Sequence, residues 1–538
     1  MSRRGPSLCA LSPVRSLLLL VLLALSLPAP GVAGGLFTPD TGTVGVSRGG
    51  AWVGRASDIP GALYYNPAGL WQVDGWSVQG GVNLYSADRT FQRLPRADGT
   101  EYDLVVKRSH LRPHPELGIA WGLPKPDLTF AIGLTSPLAP IQSYDPDGPG
   151  RYRVIEQVLQ QGNIYFGAGF RPIEYFAFGA TVQLVYMDLV ESFAGQADMI
   201  TDASEPNPEN SDWDVLAEFS AVSVKPQFNV GIMVMPTKWL RFGASFSPPY
   251  RFEGKGEARL SGSVGGESTA VQTFGDGPIH VVGVDDDIDL AIGLPGHLRF
   301  GFDFEPIEHV LSFGLDAHFE LWNGTGDITA SNVDMELMYD DPDDDLAPEP
   351  LVDYLYRSGI CPLGSILGVD CGDPSSLPAG AGSNLATYTG DGGQVVVPAS
   401  FRNTWSIRTG VQAKPHPAVA LRMGYLFESP AIPLETQSLT MHDGYKHMVS
   451  GGLGMLLGAR HRGDRPLAEV NIFYARVWYH DRTVSAEQSR GRTLVLEGVP
   501  ANPVDAGTYT AAVNQVGLNV AFHFGAIGQR LGEPVLPR

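Results

Sequence analysis

The chain has 538 residues, 43% of them hydrophobic, with 65 glycines, 42 prolines and a formal net charge of −21. So acidic a surface would repel nucleic acid, and the apolar fraction is too high for a disordered polymer. Beyond the N-terminal segment no apolar run approaches the ~18 residues of a membrane helix, which excludes an ordinary helical membrane protein.

Residues 1–33 have the layout of a secretory signal peptide. Arg3, Arg4 and Arg15 precede a short apolar run from Leu17 to Leu27, then Pro28, Pro30 and the small residues Gly31, Ala33 and Gly34. The run is shorter than the ~20 residues a spanning anchor needs, so cleavage after Ala33 and export are expected. The mature chain then keeps two cysteines, Cys361 and Cys371. In an oxidising compartment they suit one local disulfide closing a surface loop. No metal-ligand spacing is present, and neither a metal nor a cofactor is expected.

Residues 34–72 do not alternate. They are rich in glycine and small residues and end in Gly61-Ala62-Leu63-Tyr64-Tyr65-Asn66-Pro67-Ala68-Gly69-Leu70. By itself Asn-Pro is only a turn initiator. From Trp76 to Phe524 the pattern changes to period two. Val516, Leu518, Val520, Phe522 and Phe524 alternate with Gly517, Asn519, Ala521 and His523, and Leu311 to Leu321 alternates likewise with Ser312, Gly314, Asp316, His318 and Glu320. Each such strand has one greasy face and one polar face. The spacing predicts strands near 76–86, 115–123, 128–137, 162–171, 176–190, 219–235, 239–262, 280–304, 310–322, 401–413, 418–428, 445–457, 467–480 and 511–524.

A soluble sandwich would alternate too, but three features favour an all-β transmembrane barrel of about fourteen antiparallel strands. The apolar face is aromatic up to the strand ends, and the polar face is small or charged. Aromatic rings gather where strands should meet the membrane surfaces, with Trp121, Tyr175 and Trp239 at one end and Trp322, Trp405 and Trp478 at the other. Short proline turns at Pro124–Asp127, Pro172–Tyr175, Pro236–Trp239, Pro306–His309 and Pro415–Pro417 also alternate with long polar loops. The barrel then covers 73–525, its largest outer loop 323–400, and residues 526–538 form a C-terminal extension.

The Gly45, Gly50, Gly54, Arg55, Ala56 run followed by the Asn66-Pro67-Ala68-Gly69-Leu70 box resembles the FadL/TodX family of outer-membrane transporters for long-chain fatty acids and other hydrophobic compounds. Leu294-Pro295-Gly296-His297-Leu298-Arg299-Phe300-Gly301 and Thr404-Trp405-Ser406-Ile407-Arg408-Thr409-Gly410 are similar to it as well. The resemblance implies a lumenal hatch over 34–72 and the outer membrane of a Gram-negative bacterium as its location. It also implies a monomer, set in outer-membrane lipid and lipopolysaccharide by the assembly machinery. A long-chain fatty acid or other hydrophobic small molecule would be caught by outer loops and bound in the lumen. It would leave sideways as the hatch shifts, at a kinked third strand containing Gly133, Ser136 and Pro137. The chain departs from the family in its tail after Phe524 and in keeping only Asp58 as an acidic residue before the box.

Lumen-facing charges are expected at Arg299, Asp303, Asp316, His318, Glu320, Arg402, Arg408, Arg422 and Glu469. Most should pair with one another, because unpaired charge in a confined lumen is costly. Arg408 and Arg422 are the candidates for a ligand carboxylate, which arginine can hold bidentately. The acidic runs Asp285–Asp287 and Asp340–Asp345 lack the spacing of a calcium loop and read as solvated. Two rivals to transport are a rim enzyme of lipase type and a general porin or surface adhesin. His442 and His447 lie near the outer rim, but no nucleophile motif accompanies them.

Overall fold

The computed structural model describes residues 40–524, apart from 97, 108–110, 139–140, 197–213, 265–278, 334–337, 340–348, 351–392, 398 and 490–503. Fourteen antiparallel strands close into a barrel. They are β1 (Gly75–Arg93), β2 (Arg112–Pro124), β3 (Asp127–Leu138), β4 (Glu156–Ile173), β5 (Phe176–Gln196) and β6 (Asp214–Thr237). Next come β7 (Leu240–Ser247 and Tyr250–Val264), β8 (Ile279–Leu294 and Gly296–Ile307), β9 (Leu311–Leu321) and β10 (Thr404–His416). The last four are β11 (Val419–Glu428), β12 (Lys446–Leu457), β13 (Ala468–Tyr479) and β14 (Gly507–Phe524). Closure is made by β1 on β14, in continuous register from Trp76↔Phe524 to Arg93↔Gly507. Every backbone donor in the wall can then find a partner without water, which a bilayer requires.

Every strand expected from the alternation is present, and several run further. A span needs only ~9–11 residues, whereas β5 has 21 and β6 has 24. The excess carries the β4–β8 side of the wall beyond the membrane. Prolines interrupt two of these strands, at Pro248-Pro249 in β7 and at Pro295 in β8. Proline cannot donate to a ladder, so each of these strands is built in two pieces.

The wall is inside-out relative to a soluble protein. Phe130, Ile132, Phe166, Phe228, Phe300, Ile472 and Leu518 are exposed, whereas Asn83, Gln183, Asp303, Asp316, Arg408 and Asn471 are buried. Apolar side chains face lipid and polar ones face the lumen. At the turn end Trp76 stacks on Trp121 with centroids 5.7 Å apart, and Tyr175 and Trp239 are exposed. At the loop end Trp405 packs beside Phe427 at 5.4 Å, and Trp478 lies over His447. Trp322 departs from the expected belt: it is fully buried against Phe401, inside the outer-loop packing. Its strand ends at Leu321, so the ring turns into the mouth of the barrel.

Ile472 and Leu518 oppose each other on the lipid face of β13 and β14. Replacing either with Arg should cost about 2–4 kcal/mol of barrel stability, measured as a lower urea midpoint of folding into lipid vesicles. An unchanged midpoint would contradict a lipid-facing surface there.

Candidate functional site

Residues 40–74 run along the inside of the barrel, and their packing begins with glycine. A Cβ at Gly118 or Gly133 would strike Ile59 or Leu63, and at Gly179 or Gly231 it would meet Pro67 or Asn66. At Gly301, Gly314, Gly410 and Gly424 it would collide with Gly54, Ala51, Arg48 and Gly49 in turn. Many of these glycines are cross-strand neighbours: Gly118 with Gly133, Gly169 with Gly179 and Gly231, and Gly314 with Gly410 and Gly424. Together they form a belt where backbone meets backbone. The sequence carried this signal, as inward positions occupied by glycine on strand after strand.

Polar ties then fix the segment. Asp303 on β8 accepts from Arg48 at 3.0 Å and Arg55 at 2.9 Å, and Arg55 also reaches Glu305 at 3.5 Å. One oxygen of Asp316 on β9 accepts both the Trp52 and Val53 backbone N–H, each at 2.7 Å. Glu116 on β2 accepts from the Thr43 N–H at 2.9 Å and its hydroxyl at 2.8 Å. Gly49 N–H donates to Ser450 on β12. Ties to β2, β8, β9 and β12 place the segment across the lumen.

Within the segment a helix, α1 (Ile59–Tyr65), is capped by Asp58, which accepts from Gly61 N–H and from the Trp52 indole. Capping satisfies an otherwise orphan donor. Asn66 is completely buried at the next joint. Its oxygen accepts from Ala68 N–H and caps the short 3-10 helix Pro67–Gln72. Its amide donates to Val53 O and to Ile232 O on β6, both at 3.0 Å. Ala68, Gly69 and Leu70 are buried in that turn. Asn66 therefore serves as a turn residue and as a pin to the wall.

The lumenal arginines divide. Arg408 is shared by Asp40 and Glu428, the latter at 3.3 Å. Arg422 is occupied by Gln412 and Asn471, both at 2.8 Å. Arg402 is not lumenal: it precedes β10, is exposed, and approaches Glu435 at 3.7 Å. Glu320 accepts the Trp322 indole N–H, and Glu469 sits 3.4 Å from His523. Arg299 differs from all of these. It is 3% exposed and has no carboxylate partner among the described residues. Its guanidinium lies over Tyr64 at 4.8 Å and donates only to Tyr64 O, at 3.4 Å. His318 is its direct partner across β8 and β9. The nearby Tyr65 hydroxyl and His318 Nε2, both buried, lack hydrogen-bond partners among the described residues, with Nε2 standing 3.6 Å from Asp316. Two buried groups that burial penalises when unpaired thus sit beside a cation that has no carboxylate among the described residues.

An apolar surface leads to them. On the inner face of β8, Ile288, Leu290, Ile292 and Leu294 are buried and pack with Leu159, Met187, Leu189 and Phe252 from β4, β5 and β7. The break at Pro295 shifts the alternation by one residue, which brings His297 and then Arg299 below the stripe.

The third-strand residues lie at a seam. Gly133 is paired on both sides, with Gly118 and Tyr165, beneath Leu63. Pairing of β2 with β3 stops at Glu116↔Thr135, and the β3–β4 register shifts between Thr135 and Leu138. Ser136 and Pro137 fall in that bulge. Across the seam β2 carries Pro113 and Pro115, which have no N–H to offer. A side chain bridges it instead, with His114 Nδ1 2.8 Å from Ser136 O, while the Ser136 hydroxyl donates to Gln161 O on β4.

His442 and His447 do not meet. His442 is buried against Tyr509, whereas His447 faces outward and contacts His480. Asp285–Asp287 stand on β8, where Asp287 pairs with Lys255 at 2.8 Å. Cys361, Cys371, Asp340–Asp345, the signal segment and the C-terminal extension lie outside the described residues.

Residues 25–524 match the family of outer-membrane transport proteins described as OMPP1/FadL/TodX. The chain belongs to that family. It is therefore a transport protein of the Gram-negative outer membrane and not an enzyme. Among solved structures, it is similar to a Pseudomonas aeruginosa FadL homologue, with a TM-score of 0.63 at 14% identity over 91% of this chain and 100% of that one. The Ralstonia pickettii toluene transporter TbuX gives 0.54 at 13% identity, over 90% and 99%. The P. putida toluene transporter TodX gives 0.55 at 15%, again over 90% and 99%. No curated protein matches it in sequence. At these identities the solved structures speak for the fold alone, and the site must be read from its own residues.

Asp303→Ala would take the ion-pair partner from the buried Arg48 guanidinium and leave Arg55 with Glu305. It should loosen the segment by about 3–5 kcal/mol, seen as much faster amide exchange across residues 48–56 while the strands stay protected. Unchanged exchange would show that the glycine belt alone holds the segment.

Proposed function

We propose that the protein imports hydrophobic molecules bearing an acidic head group, with a long-chain fatty acid as the central case. The observation that carries this reading is Arg299, a buried cation without a carboxylate among the described residues, directly below the apolar stripe Ile288–Leu294. The apolar tail would lie against the stripe and leave water, which is favourable in proportion to area. The head would sit against the Arg299 guanidinium, with the Tyr65 hydroxyl and His318 beside it. Arg408 and Arg422, already engaged, are better read as supports of the wall.

In this reading residues 1–33 are removed on export and residues 34–72 act as the hatch. The hatch shifts to let cargo pass. Exit is sideways at the β2–β3 seam, where the facing prolines leave few ladder bonds to break and a greasy solute gains by entering bilayer. The rival cargo is a neutral aromatic hydrocarbon, as the names of TbuX and TodX state for those proteins.

Uptake of radiolabelled oleate by cells lacking their own transporter tests the proposal. Cells carrying the protein should exceed empty vector, and equal uptake despite correct insertion would end the transport claim for this cargo. Arg299→Gln should weaken oleate binding about 10- to 100-fold, the worth of a charge-assisted hydrogen bond, while leaving toluene binding unchanged. Equal binding of oleate by both forms would favour the neutral cargo. Replacing Asn66 and Pro67 with Ala should alter uptake and leave insertion intact; loss of insertion would make the box purely structural.

A further inference from the structure

The outer connection between β11 and β12, residues 429–445, folds into the mouth of the barrel instead of standing in solvent. Ala431, Ile432 and Met441 pack with Trp322 and Phe401 on one side of the mouth. Leu439, with Leu434 beside it, packs with Phe91, Tyr144 and Tyr509 on the other. Gln142 donates to Leu439 O at 3.1 Å, and Arg482 to Ile432 O at 2.6 Å. The connection spans the opening as a lid.

A line of buried charge runs inward from this lid. Asp443, in the lid, lies 3.4 Å from Lys446, and Lys446 reaches Glu428 at 2.9 Å. The other oxygen of Glu428 meets Arg408 at 3.3 Å, and Arg408 contacts Asp40 of the N-terminal segment. All five side chains are at most 5% exposed. Signs alternate along the line, so three carboxylates share two cations. Within this line of direct contacts the carboxylates outnumber the cations by one.

We infer that the two end carboxylates, Asp443 of the outer lid and Asp40 of the N-terminal segment, compete through this line, so that releasing one gate tightens the other. With Asp443 in place, Lys446 divides its charge between Asp443 and Glu428, and Glu428 in turn draws on Arg408. With Asp443 lifted away, Lys446 neutralises Glu428 and leaves Arg408 wholly to Asp40. The reverse holds when Asp40 leaves. The device is an airlock: cargo entering from outside raises the lid while the inner segment is held hardest. Asp40 is suited to the part, because Arg408 is its sole side-chain partner among the described residues and its second oxygen has none. Burial lifts both end carboxyls above the usual range, Asp443 to about 7.

The inference rests on the hatch reading above but is tested without cargo. Hydrogen exchange would be followed in full-length protein in detergent, comparing wild type with Asp443→Asn. The Thr43 and Gly49 amides should exchange at least about threefold more slowly in the variant. Linkage is reciprocal, so Asp40→Asn should slow exchange at Ala431 and Gly444 in the lid. Faster or unchanged exchange at the far end in a folded variant overturns the airlock, and faster exchange would instead mean that the two gates open together. If one variant fails to fold, the other decides alone. Failure of oleate uptake with the exchange pattern intact would remove the cargo assignment and leave the coupling standing.

Discussion

Asp303 and Asp316 impose the constraint on which the rest of the structure depends. A barrel that turns its apolar faces to lipid must turn its polar faces inward, and it cannot leave carboxylates there without partners. Bulk water would satisfy them in an open pore. Here the partners are Arg48, Arg55 and the Trp52 and Val53 amides, all carried by the N-terminal segment. Wall and segment are thus two halves of one electrostatic arrangement. The glycine belt lets them approach closely enough for these bonds to form, since a methyl group at Gly410 or Gly424 would hold the segment off.

The proposed cargo route builds on that constraint. Where the segment lies, the lumen is filled and Asp303 and Asp316 are engaged. Above it the inner wall is apolar from Ile288 to Leu294, and at the junction Arg299 has no carboxylate and His318 Nε2 and the Tyr65 hydroxyl no hydrogen-bond partner among the described residues. An amphipathic molecule meets both surfaces in the right order from the outside. Further passage needs a change in the segment or the wall. Between β2 and β3 the ladder stops at Glu116↔Thr135, where prolines face a bulge and a histidine stands in for ladder bonds.

The barrel was legible because its alternation is local. A run such as Val516 to Phe524 declares its two faces without reference to any other strand, and the proline turns mark which end is which. The lumen was less legible, because partners there come from far apart in the chain. Arg408 looked free until Asp40 and Glu428 were brought to it, and Arg299 looked like one charge among many until it was left alone. Trp322 and Arg402 were misplaced for a related reason: each lies just past a strand end, where alternation no longer says which way a side chain turns. The glycines at Gly301, Gly314, Gly410 and Gly424 read as neutral members of a polar face. Only the segment packed against them reveals what their smallness is for.

The central claim is that a segment held this firmly must nevertheless move for cargo to pass. A Cβ at Gly314 would lie 3.2 Å from that of Ala51, near the ~3.5–4.5 Å separation of a disulfide. In a background with Cys361 and Cys371 changed to Ser, Ala51→Cys with Gly314→Cys would therefore tether the segment to β9. Oleate uptake by cells carrying the oxidised double variant should fall to the empty-vector level and recover on reduction. Uptake equal in the two redox states, with the cross-link verified by mass, would contradict a moving segment.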